Sequence, residues 1–166
     1  MHYLPFSSLF YLMHNTEIYC NNDVLLQIIR LNKETLENLQ ITCVILPYKI
    51  MEFLNIVAES RIANISIKGP LQVFRFVKLH YDYDSLQFPV LTYLYIYQIG
   101  NYNHHIMNFM KFVLERGPHL ETFIIGQPWL PDQYDIDEIE AFMPASLLER
   151  YSVFVNTHKQ ICFRKK

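Results

Sequence analysis

Two hydrophobic periods alternate along the chain, and the switch between them recurs at nearly constant spacing. An apolar frame of the form Leu-x-x-Leu-x-Ile returns five times, as Leu9-x-x-Leu12-x-His14, Leu36-x-x-Leu39-x-Ile41, Ile62-x-x-Ile65-x-Ile67, Leu91-x-x-Leu94-x-Ile96 and Leu120-x-x-Phe123-x-Ile125. Their first positions lie 27, 26, 29 and 29 residues apart, and a poorer sixth frame, Leu148-x-x-Tyr151-x-Val153, follows after 28. In extended chain successive side chains point to opposite faces, so each frame predicts a strand with one apolar face. Leu39, Ile41 and Cys43 then oppose Asn38, Gln40 and Thr42, Ile65 and Ile67 oppose Asn64, Ser66 and Lys68, and Leu94 and Ile96 oppose Tyr93, Tyr95 and Tyr97.

Between frames the apolar spacing changes to that of amphipathic helices. Asn22 or Asp23 is placed to cap a helix with Leu25, Leu26, Ile28 and Ile29 inward, and Pro47 to open another with Ile50, Met51, Phe53, Leu54 and Val57 inward. Asn103 precedes a third, with Ile106, Phe109, Met110, Val113 and Leu114 inward, and Gly117-Pro118 ends it. The acidic run after Pro128 and Pro131 reads as a loop entering a last short helix over 136–143. Residues 71–83 suit either period, and the helical neighbours favour a helix there.

Strands and helices repeating at 26–29 residues predict an α/β, leucine-rich-repeat-like solenoid, with parallel strands on the concave face and helices on the convex face. The reading is one domain over 1–166 with about five repeats, and a candidate fragment of a longer protein. The alternative is a small α/β enzyme whose doubly wound sheet carries a site at the strand C-terminal ends. Against it, none of the four glycines forms a G-x-G or G-K-[ST] phosphate loop.

Composition narrows the function classes. A net charge of −2 gives no electrostatic case for nucleic acid, and the basic end Arg164-Lys165-Lys166 reads as a solvated tail. Apolar stretches such as 90–97 are too short to cross a bilayer, so no membrane partner is expected. The start has no basic n-region, and Cys20, Cys43 and Cys162 are odd in number and far apart. Both features predict an intracellular protein, cytoplasmic or nuclear, with reduced thiols.

Little catalytic chemistry is legible. His104 and His105 are adjacent, so on a helix they diverge by about 100° and share no metal. Asp132, Asp135, Asp137, Glu138 and Glu140 lack the glycine and terminal glutamate of a calcium loop. No G-x-S-x-G elbow occurs. The expectation is a non-enzyme with no catalytic residue, no metal and no cofactor.

Tyr93, Tyr95 and Tyr97 carry the functional signal, three tyrosines at alternate positions of one strand. Tyrosine offers wide contact area, few torsions to freeze and a hydroxyl, which suits a binding surface. They are expected to centre a protein-binding face, flanked by Gln40, Thr42, Asn64, Ser66 and Lys68 on one side and Thr122 and Ile124 on the other.

The helix-then-strand run from Phe109 to Ile125, and Leu36-Glu37-Asn38-Leu39-Gln40-Ile41, resemble the leucine-rich-repeat region of F-box proteins over about Leu9 to Ile125. That resemblance implies substrate recognition in a cullin-type ubiquitin ligase, with the repeat face gripping the substrate. The F-box itself is not evident, because Leu4-Pro5 leads through Phe6-Ser7-Ser8 directly into a repeat frame. Docking to the ligase scaffold is therefore left open.

Overall fold

A computed structural model describes residues 21–42, 45–71, 86–99, 104–126 and 136–166. The first frame, Cys20, Cys43, the Asn103 cap and the stretch 72–83 lie outside the described residues. Those described form an open six-stranded sheet with five α-helices. In chain order they are α1 (Asn22–Leu31), β1 (Asn38–Ile41), α2 (Ile50–Ala58), β2 (Asn64–Leu71), β3 (Tyr93–Ile99), α3 (His104–Arg116), β4 (Thr122–Ile125), α4 (Ile136–Phe142), α5 (Ala145–Arg150), β5 (Tyr151–Val155) and β6 (Ile161–Lys165).

Strand order in the sheet is β1-β2-β3-β4-β6-β5. The first four strands are parallel and adjacent in the order of the chain. Their register aligns the sequence frames, pairing Leu39 with Ile65, Ile65 with Leu94 and Leu94 with Phe123. The turns leading into the strands stack in the same period. Ala63 N donates to Glu37 O (2.9 Å), Thr92 N to Ala63 O (2.8 Å) and Glu121 N to Thr92 O (2.8 Å). Each turn thereby satisfies the backbone of the next, which gives the recurring spacing a physical cause: units of similar length keep these donors and acceptors in step.

One face of the sheet carries the core. Ile41, Ile65, Ile67, Leu94, Ile96, Phe123 and Ile125 are buried, whereas Leu39, on the outer strand, is only partly so. Ile50, Phe53, Leu54 and Val57 of α2 and Phe109 and Val113 of α3 meet Ile65, Ile67, Leu94 and Ile96 around one apolar gap. Both helices therefore cover the same face. Crossovers between parallel strands share one hand, so strands added in a single direction place their helices on a single side.

Several expectations need correction. The stack is not parallel throughout, because β6 runs antiparallel to β4 and β5 antiparallel to β6. The sixth frame does yield a strand at Tyr151, yet the following strand folds back between it and β4. Arg164 and Lys165 accordingly belong to a paired strand and not to a free tail. The cap of α1 is Asn21, whose side chain accepts from Asp23 N at 3.0 Å, while Asn22 is buried and its Oδ1 accepts from Leu46 N at 2.9 Å. Ile28 is exposed, one step outside the buried stripe of Leu26 and Ile29. The short helix expected over 136–143 is α4, and a further helix without a sequence expectation, α5, follows it after Met143 and Pro144.

Candidate protein-binding face

Opposite α2 and α3 lies the second face of the sheet, and the strand alternation carries onto it the expected binding residues Gln40, Asn64, Ser66, Tyr93, Tyr95, Tyr97, Thr122 and Ile124, with Thr42 just beyond β1 and Lys68 at a register shift of β2. Residues 93, 95 and 97 sit between buried Leu94 and Ile96, so the tyrosines project away from the core. Tyr93 and Tyr95 are half-buried and Tyr97 is 45% exposed. The rings of Tyr95 and Tyr97 approach to 6.4 Å between centroids, tilted by 43°. Across the sheet, Tyr93 lies between Asn64 and Thr122, and Tyr95 between Ser66 and Ile124. Gln40 pairs with Ser66 one strand further out. Thr42 follows β1 directly and Lys68 continues β2, and both are exposed.

Polar contacts hold this surface in place. Asn64 Nδ2 donates to Asn38 Oδ1 at 2.8 Å, and Thr92 Oγ1 reaches both Ala63 O at 3.1 Å and Asn64 Oδ1 at 3.3 Å. Tyr95 is tethered by the residue that precedes β6, two strands away, its Oη accepting from Gln160 Nε2 at 3.0 Å. Gln160 is itself oriented by Asn156, whose Oδ1 accepts from Gln160 N at 3.0 Å and whose Nδ2 donates to Gln160 Oε1 at 2.9 Å. Fixing a tyrosine before a partner arrives lowers the ordering cost of binding.

Gly126 lets these parts approach. Its N–H donates to Ile96 O at 2.7 Å, and a Cβ there would meet Tyr97 O at 2.7 Å and Gln160 Nε2 at 2.9 Å. Burial raises the phenol pKa of Tyr93 above its ordinary value, with smaller contributions from Tyr95 and Cys162. The Cys162 thiol is likewise pushed up by burial, against the opposing pull of Arg164. Both groups are therefore neutral near pH 7, and Cys162 lacks the thiolate character of a nucleophile.

The face is wider than sequence reasoning placed it. Thr122 pairs with Arg164 and Ile124 with Cys162, while Phe154 pairs with Cys162 on the outer strand. The Arg164 guanidinium stands over the Phe154 ring at 5.5 Å. Alternation of Ile161 and Phe163 against Cys162 and Arg164 was the available signal, but three terminal basic residues masked it.

Among the described residues no group of three His, Cys, Asp or Glu side chains is placed to hold a metal, and no helix is long and apolar enough to cross a membrane. The two histidines at the start of α3 belong to a helix at adjacent positions. No protein-family model, curated protein or solved structure matches the chain.

Proposed function

We propose that the chain is a protein-interaction module of solenoid type, which presents the face of its sheet opposite α2 and α3 to a protein partner. The observation that carries this reading is the outward row of Tyr93, Tyr95 and Tyr97, with Asn64 and Ser66 on one side, Thr122 and Ile124 on the other, and Tyr97 45% exposed. A few central aromatics inside a polar rim are the anatomy from which binding surfaces draw most of their energy. Four parallel strands in chain order, with no reversal among them, support the solenoid over a doubly wound sheet, whose ligands sit where strand order reverses. The likeness to F-box-type repeats extends the reading to substrate capture for a cullin-type ubiquitin ligase, and co-purification of a cullin adaptor with the chain tests that extension.

The direct test places a photo-crosslinking amino acid at position 97 and, as a control, at exposed Glu115 on α3. Irradiation in cell extract should join a discrete protein to position 97 and not to position 115. Equal products from both sites would remove the sheet face as the binding surface.

A further inference from the structure

The distribution of charge among the described strands departs from that of the chain. The sequence holds 16 acidic and 14 basic residues, yet none of the six strands contains an Asp or Glu, whereas they contain Lys68, Arg164 and Lys165. Two of these cations lie on the tyrosine face. Lys68 directly follows inward Ile67 and is exposed, at the point where the β2–β3 register shifts between Ile67 and Pro70, and Arg164 pairs with outward Thr122. Both are exposed, and neither meets a carboxylate among the described residues. The nearest acids in sequence, Glu37 and Glu121, precede β1 and β4 by one position and fall, by alternation, on the helix side.

Lys68 and Arg164 occupy opposite corners. Arg164 is level with Asn64 and three strands away, and Lys68 is four residues along β2 from Asn64. With strands ~4.8 Å apart and a rise of ~3.3 Å per residue, the two cations stand about 20 Å apart, with the tyrosines between them. An extended peptide covers that distance in about six residues.

The geometry points to an acidic partner: an extended peptide segment with carboxylates about six residues apart, flanking an apolar or aromatic centre that packs on Tyr95 and Tyr97. This rests on the protein-binding reading above and specifies its ligand. The alternative polyanion fits less well. A nucleic-acid strand carries a charge every ~3.4 Å, so the same path would set about six phosphates against two cations and leave most of them opposite neutral amides and phenols. Two well-separated charges match two carboxylates. Complementary charges at the rim also steer encounter and reject partners of the wrong sign.

The test selects phage-displayed random dodecapeptides on the immobilised full chain and measures binding of the synthesised winners. The expected winners carry Asp or Glu at two positions about six apart around an apolar centre. Their affinity should fall about tenfold or more in Lys68→Glu/Arg164→Glu and weaken with rising salt. Both residues are exposed, and an unchanged melting temperature certifies the fold of the variant. Winners that are neutral or basic, and that lose binding on Tyr97→Ala, would overturn the acidic inference while leaving the protein-binding reading standing. Binding of a dodecameric oligothymidylate that depends on the same two cations would overturn it in favour of nucleic acid. If no peptide is enriched, both readings fall.

Discussion

Among the described residues, Tyr93, Tyr151 and Cys162 sit where burial opposes their ionisation, and this bears on how the protein responds to alkali. Tyr93, Tyr151 and Cys162 all have pKa values raised above their ordinary 10.0, 10.0 and 9.0, with burial the first cause in each. A raised pKa means that the folded state holds its proton more tightly than the unfolded chain. The resulting stability is complete below the ordinary values and is lost as pH climbs through the raised ones. The melting temperature should therefore hold steady from neutral pH to about pH 9 and fall above about pH 10. Tyr93→Phe/Tyr151→Phe should flatten that fall, and a decline of equal steepness in the double variant would dismiss the tyrosines as its source. At neutral pH the exchange has its own cost, because the Tyr151 hydroxyl donates to buried Leu120 O at 2.9 Å. Losing that donor should lower stability by about 1 kcal/mol in denaturant titration.

Single elements depend on close backbone approach as much as on side-chain packing. Gly126→Ala would drive a methyl group against Tyr97 O, which belongs to the backbone of β3 and cannot swing aside. The substitution should cost about 1–3 kcal/mol, as overpacking does, and should weaken partner capture, since Tyr97 and the Gln160 tether of Tyr95 both adjoin it. A variant as stable as the parent would show that β3 and β4 have room to separate. Elements of this kind were legible in the sequence to different degrees. Strands β1 to β4 and helices α2 and α3 could be read because the periodic signal and the burial agree residue by residue, as in Phe109, Met110 and Val113. The outward direction of Tyr93, Tyr95, Asn64, Ser66 and Thr122 among the candidate residues followed from the same alternation. What could not be read is set by tertiary contacts. Ile28 is as apolar as Ile29 but lies one position off the buried stripe, and Gln160 reaches Tyr95 across 65 residues. Neither β6 nor its antiparallel direction was legible, because its outward half is basic and alternation carries no strand polarity.

At the scale of the whole molecule, the inward ladder from Leu39 through Ile65, Leu94 and Phe123 continues into Phe163, whose ring stacks on Phe123 at 5.9 Å. Leu94 stands mid-ladder and is only 5% exposed, so Leu94→Ala should cost about 2–5 kcal/mol in denaturant melting. A change below about 0.5 kcal/mol, typical of surface positions, would mean that the sheet faces the other way. The C-terminal hairpin adds a kinetic polarity to this architecture. Val155 pairs with Ile161 across a short turn, whereas Asn38 must find Asn64, and Tyr93 must find Thr122, over intervals as long as the repeat unit. By chain-closure entropy, closing the longer loop costs roughly 1.4 kcal/mol more than closing the hairpin does. The hairpin is thus the cheapest place to nucleate, and parallel strands should add from it towards β1. Ribosomal synthesis releases them in the opposite order, so the apolar faces of β1 to β4 must wait in the nascent chain for the segment that organises them. Substitutions at Val153 or Phe163 should accordingly slow refolding, while those at Ile41 should chiefly hasten unfolding. Stopped-flow chevrons in which Ile41 slows refolding as much as Phe163 would reverse that order.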